Sequence, residues 1–161
     1  MPKQRSATLA DISPMWTIRT AAIRVTCASH YPPELIETLC AMAPPASMPE
    51  LIRTGGTVVA EADGRMLGYA ALDIGTGEVD AVFVEPGQQG RGIARALLAT
   101  LEAIAARHGI ARLYLSSSLN AVPFYERAGF SAVRDEVYPH RSGIGIPAVF
   151  MEKQLGRPAG G

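Results

Sequence analysis

Cysteine is scarce in this 161-residue chain, with only Cys27 and Cys40 present. Neither has a His or Cys partner at metal-ligand spacing, which argues against a metal site or a disulfide framework and for two reduced thiols in a cytoplasmic protein. A charge excess is also lacking: 15 Lys+Arg balance 15 Asp+Glu, for a formal net charge of zero. That balance argues against nucleic acid as a partner and against a solvating acidic tail. No apolar run approaches the ~20 residues of a membrane helix. The segment Met1-Pro2-Lys3-Gln4-Arg5 runs into polar residues too soon for a signal-peptide core. Charged residues make up only 19% of the chain against 48% hydrophobic, enough apolar content for one domain over 1–161 that buries roughly 70% of the surface its unfolded chain would expose. Residues 156–161 are expected to fray.

Apolar residues recur with helical period after Asp11, at Ile12, Met15, Trp16, Ile18, Ala22, Ile23 and Val25. The pair Pro32-Pro33 ends that pattern, and a second helix from Pro33 runs through Leu35, Ile36, Leu39, Cys40 and Met42 to Pro44-Pro45. Ser47 and Glu50 read as a capping box for a short third helix. The period then changes to that of strands: 57–62 and 66–74 around the hairpin signal Asp63-Gly64, then 78–84. The clearest helix carries Ile93, Leu97, Leu98, Leu101, Ile104 and Ala105 on one face and stops at Gly109. A strand at 111–116, a helix from about Ala121 to Gly129, and strands at 131–137 and 146–155 complete an α+β pattern around one sheet.

The stretch from Val82 to Ala94 joins a strand directly to that best helix. Gly90 and Gly92 let backbone approach a ligand, and the helix start offers unpaired N–H groups with the positive end of a dipole. A phosphate or pyrophosphate would suit it. Arg91 and Arg95 oppose the dipole unless something anionic sits nearby. A Walker A loop would need Lys-Ser/Thr after Gly92, where Ile93-Ala94 stands. A Rossmann fingerprint would need Gly or Ala at position 95, which is Arg95, and a βαβ setting.

Gln89-Gly90-Arg91-Gly92-Ile93-Ala94 instead resembles the Gln/Arg-x-x-Gly-x-Gly/Ala signature of the GNAT superfamily of N-acetyltransferases. Val84-x-Pro86 before it and Phe124-Tyr125-Glu126-Arg127-Ala128-Gly129-Phe130 after it fall in the order of that family, and the resemblance covers roughly residues 57 to 155. It implies the GNAT fold, a mostly antiparallel sheet of about six to seven strands flanked by four to five helices. It also implies acetyl-CoA as cosubstrate, with no metal. Two strands, 78–84 and the one at Leu113, would splay apart to admit the pantetheine arm. The main chain of Val82, Phe83 and Val84 would pair with its amides. Gln89, Gly90, Arg91, Gly92, Ile93, Ala94 and Arg95 would hold the pyrophosphate, and Ser118 and Asn120 stand near the place of a coenzyme-contacting Asn.

By the same resemblance Tyr125 is the acid for the departing thiolate, since a phenol of pKa ~10 stays protonated at neutral pH and can serve a thiol of pKa ~8.5. Phe124 is read as packing. Glu78, six residues before Val84, is the candidate base, and Asp80 the alternative. Strand alternation puts Glu78, Asp80, Val82 and Val84 on one face. Ser116 to Ser118 offer caps for the helix at Ala121. Trp16, His30, Tyr31, Tyr138 and His140 are candidates for an acceptor pocket.

The expected reaction is direct transfer of acetyl to a small-molecule amine. Cys27 and Cys40, outside the motif segment, speak against a thiol intermediate. Acetylation of a protein N-terminus or lysine, and a non-catalytic acyl-CoA-binding module, are the alternatives; a homodimer is implied by the family and by sheet edges that need covering. Neutrality of the whole chain thus conceals Arg91 and Arg95 at one end of a site and Glu78, Asp80 and Glu85 on the strand before it.

Overall fold

The change of period along the chain becomes, in the computed structural model, which describes residues 2–156, an α+β arrangement of seven strands and five α-helices. In chain order these are β1 (Lys3–Ser6), α1 (Ile12–Thr26), α2 (Pro33–Cys40), α3 (Met48–Arg53), β2 (Thr57–Ala62), β3 (Arg65–Asp73), β4 (Glu78–Val84), α4 (Ile93–Arg107), β5 (Arg112–Ser118), α5 (Val122–Arg127), β6 (Ser131–Pro139) and β7 (Gly145–Gln154). One sheet has the order β1-β2-β3-β4-β5-β7-β6. Every neighbouring pair is antiparallel except β4 with β5. The expected tail falls outside the described residues from position 157 onward.

Helices cover both faces. The apolar stripe of α4 presses Leu97, Leu98 and Leu101, each at most 1% exposed, onto Val58, Ala70, Leu72, Leu113 and Met151. Each such leucine contributes roughly 1.5–3 kcal/mol of burial. On the opposite face Met15 of α1 and Met48 and Ile52 of α3 pack on Val59, Tyr69 and Ala81. A third cluster joins α1 to α2 through Ile23, Cys27, Tyr31 and Leu35. Tyr31 is buried there, donating its hydroxyl to the Pro147 carbonyl at 2.6 Å and accepting the Leu119 N–H at 3.0 Å. It ties the α1–α2 connection to the far half of the sheet, and it also lines the cleft described below.

Two local expectations are corrected. Strand β1 was not expected, because all four of its side chains are exposed and polar and no apolar alternation marks it; its order comes from backbone pairing with β2. Ser47 makes no side-chain cap, since it already lies in helical conformation at φ −76° and ψ −16°. The capping box belongs instead to Thr8 and Asp11. Asp11 accepts the Thr8 N–H at 2.7 Å and both terminal nitrogens of Arg5 at 2.8 and 2.9 Å. Those contacts hold its carboxyl down at about 2, the Arg5 hydrogen bond being the largest cause.

Candidate functional site

Strands β4 and β5 run parallel and meet at one register pair, Glu78 with Tyr114, where Tyr114 N–H donates to the Gly77 carbonyl at 3.2 Å. Beyond it β4 stays with β3 while β5 stays with β7 along its whole length, and the two parts of the sheet diverge. The gap opens a cleft of about 1050 Å³, walled by β4, β5, α1, the start of α4, α5 and the β6–β7 hairpin.

The Glu85 N–H donates to the Leu67 carbonyl at 2.9 Å. Antiparallel alternation then turns the main-chain groups of Phe83 toward β3 and those of Val82 and Val84 into the gap. The expected main-chain contacts therefore narrow to Val82 and Val84, while the Phe83 ring, 5.8 Å from that of Tyr69, lines the cleft with its side chain.

A bulge corrects the expected face of β4. Ala71 pairs with Ala81 and Leu72 with Val79, leaving Asp80 as the extra residue. Val79, Val82 and Val84 accordingly pack in the core under α4, and Ala81 and Phe83 in the core under α1 and α3. Glu78 and Asp80 do not share a face with the two valines. Both line the cleft, and Asp80 is felt by Tyr69, on the α1 side. Glu78 is half-buried. Its carboxyl is pushed up, first by burial and then by the charges of Asp80, Asp73 and Glu136. Asp80 has solvent contact by surface area, yet it sits on a concave floor where protein displaces much of its surrounding water, so its carboxyl is raised as well, by desolvation and by Asp73. Glu136 holds the Ser116 hydroxyl, and Tyr138 is raised by burial and by the same acids. Glu85, by contrast, pairs with Arg65.

At the other end Gly92 is the N-cap of α4 with φ 77° and ψ 8°, a left-handed conformation that suits glycine. Ala96 is the first residue to bond back to Gly92, at 3.0 Å, so the N–H groups of Ile93, Ala94 and Arg95 have no intrahelical acceptor. Added Cβ atoms at Gly90 or Gly92 would meet nothing within 4 Å. Gln89, Gly90, Gly92, Ile93, Ala94 and Arg95 line the cleft, with Arg127 beside them. Arg91 is exposed and is not one of the lining residues.

Between the two ends Tyr125 packs edge-on against Phe124 at 5.0 Å and Phe130 at 5.6 Å. It also lines the cleft, and among the described residues its hydroxyl has no hydrogen-bond partner. Burial raises the phenol's pKa further above its ordinary value. Ser118 and Asn120 line the cleft too, and Asn120 Oδ1 accepts the Cys27 thiol at 3.4 Å. The serines do not cap α5. Ser118 makes no side-chain cap, the Ser117 hydroxyl donates to the Ser118 carbonyl at 2.8 Å, and Ser116 is taken by Glu136. Trp16, Tyr31, Tyr138 and His140 line the cleft; His30 instead lies exposed outside it beside Ser29.

Sequence reasoning missed Arg19 and Arg141, both on the cleft wall. The signal for Arg19 was present. It stands in the apolar stripe of α1, four residues after Met15 and four before Ile23, where a charge has no reason to sit.

A mixed sheet parted between two parallel strands, with a glycine turn and helix start at one mouth of the gap, defines the acyltransferase class. The family model described as acetyltransferase (GNAT) domain matches residues 27–155. The chain belongs to that GNAT family of N-acetyltransferases. It is 35% identical over 78 residues to glucosamine 6-phosphate N-acetyltransferase of Trypanosoma brucei brucei, a match covering 43% of this chain and 53% of the relative. The chain thus spans about half the length of that curated relative. Among solved structures, a GCN5-related N-acetyltransferase from Rhodopseudomonas palustris superposes with a TM-score of 0.81 at 24% identity, covering 96% of each chain. The PaiA N-acetyltransferase from Thermoplasma acidophilum, solved with coenzyme A, superposes with a TM-score of 0.73 at 20% identity, covering 96% of this chain and 99% of that one. No helix among the described residues is long and apolar enough to cross a membrane.

Proposed function

We propose that the chain is one N-acetyltransferase domain that moves an acetyl group from acetyl-CoA to a primary amine of a small molecule, by direct attack with both substrates bound. The observation that carries this reading is the parted β4–β5 gap, which leads from the open N–H groups of α4 past Tyr125 to Glu78 and Asp80.

The residues present fit acetyl-CoA. Gly90 and Gly92 leave open space beside the unpaired N–H groups of Ile93 to Arg95, a fit for a pyrophosphate, with Arg95 as a nearby cation. The gap-facing groups of Val82 and Val84 suit pantetheine amides, and Ser118 and Asn120 stand across from them on the other wall. The coenzyme supplies an activated thioester. An N–H of Val82 or Val84 polarises its carbonyl. Glu78, or Asp80 in its place, takes the amine's proton while the nitrogen bonds to the acetyl carbon, and Tyr125 gives a proton to the sulfur as the carbon–sulfur bond breaks.

A small acceptor is supported by Trp16, Leu39, Pro45 and Met48 on one wall and the β6–β7 hairpin on the other, which enclose the acidic end. The amino-sugar phosphate in the curated relative's name agrees in kind. Edge strand β6, with Val133 and Val137 exposed, is the surface through which two copies would pair, and molecular mass by light scattering tests it. The function itself is tested by thiol release from acetyl-CoA across a panel of small amines and peptides. Turnover with small amines alone is expected. Turnover only with peptides would replace the acceptor class, and tight coenzyme binding without any turnover would leave a binding module.

A further inference from the structure

Arg19 is 6% exposed, yet no carboxylate lies within ion-pair distance of it among the described residues. Its Nη1 donates to the Leu39 carbonyl at 2.6 Å, and its guanidinium carbon lies 4.2 Å from the centroid of the Trp16 ring. These contacts hold the side chain in place without neutralising it. The titratable groups whose charges act on it are Tyr69, Cys40, Arg141 and Cys27, none of them a carboxylate. Arg141, also on the cleft wall, adds a second positive charge, and both arginines act on His140. A buried guanidinium that faces an open cleft beside another cation, with no counter-charge, is costly unless a ligand brings the anion.

The acids lie across the same space. Tyr69 feels the charges of both Arg19 and Asp80, and Arg19, Arg141, Glu78 and Asp80 all line the same cleft as Tyr69. Arginine's fork of donors matches a carboxylate or phosphate, and Glu78 with Asp80 matches an ammonium group.

We infer that the acceptor is an amine that also carries an oxyanion, a carboxylate or a phosphate, held by Arg19 and Arg141 while its amine reaches Glu78 and Asp80. This rests on the N-acetyltransferase reading and adds to it the substrate's charge. The anion is absent from the reacting atoms, so its binding selects and orients the acceptor without entering the chemistry.

The test compares matched acceptors at saturating acetyl-CoA: amino acids against their amides, and aminoalkyl phosphates against the corresponding amino alcohols. The wild-type chain is expected to favour the anionic member of at least one series by tenfold or more in kcat/KM, and the series that shows it tells carboxylate from phosphate. In Arg19→Gln that ratio should collapse toward one, while Arg19→Lys, which keeps the charge, should retain most of it. Arg141→Ala, at an exposed position, should lower the ratio in a chain whose folding is not at risk. Equal or better use of the neutral members by the wild type, or a ratio unchanged in both Arg19→Gln and Arg141→Ala, would overturn the inference and leave the acetyltransferase reading standing. No acetylation of any amine, with no binding of acetyl-CoA, would remove both.

Discussion

Gly92→Ala separates a turn from a ligand site. At φ 77° an alanine adopts a left-handed conformation that costs about 1–2 kcal/mol, partly offset by the lower entropy of the unfolded chain. A net loss of about 1 kcal/mol lowers Tm by roughly 2–4 °C in a domain of this size. The added Cβ meets no protein atom within 4 Å, so a larger loss in coenzyme affinity comes from what enters that space. A methyl group there displaces the pyrophosphate from the N–H groups of Ile93 to Arg95, and a rise in Kd of tenfold or more, about 1.4 kcal/mol, is expected by calorimetric titration with acetyl-CoA. Gly109→Ala is the control. It has φ 71° and equally open space at the other end of α4, so it should lower Tm similarly and leave Kd alone. Equal Kd in Gly92→Ala and wild type, alongside the expected fall in Tm, would show that the loop is only a turn.

Tyr125→Phe should lower kcat by about 10²-fold or more with coenzyme Kd unchanged, because it removes a proton donor and leaves the ring packing intact; kcat equal to wild type by thiol release would return Tyr125 to a packing role. In Glu78→Gln, kcat/KM should fall by about 10²-fold. The wild-type limb that declines as pH drops through the raised carboxyl pKa should vanish, and a limb that persists would point to Asp80. Because that raised pKa means the ionised carboxylate is less at home in the folded chain, Glu78→Gln should keep or raise Tm. Asp11 is the opposite case. Its folded pKa of about 2 lies below the ordinary aspartate value of 3.8, so it stabilises the fold above that value and the stabilisation is lost as pH falls toward 2. Asp11→Asn should cost about 1–2 kcal/mol by urea denaturation at pH 7 and flatten the pH dependence between 4 and 2.

The fold was largely legible because most elements carry a clear period and clear stops. The stripe from Ile93 to Ala105 could only be a helix ending at Gly109, and the strands from Thr57 to Val84 alternate between strong turn signals. The coenzyme end was legible for a related reason: glycine, helix start and arginine are adjacent in sequence and stay adjacent in space. The acceptor end was not. Asp80 bulges out of β4, which reverses the alternation beyond it and parts the acids from Val82 and Val84. That bulge is a property of pairing with β3, and no local pattern announces it. Strand β1 is polar at every position and is ordered by its partner. Arg19 was visible as a charge on an apolar stripe, but its meaning required Arg141, about 120 residues further along the chain, which lines the same cleft.

Amide chemical shifts in a 15N-labelled sample titrated with acetyl-CoA test most directly that the parted strands hold the coenzyme. The largest changes are expected at Val82, Val84 and Gly90 to Arg95, with Tyr125 and Ser118 following. Largest changes on the far side of α1, around Ile12, Thr17, Thr20 and Arg24, or no change at millimolar acetyl-CoA, would contradict it.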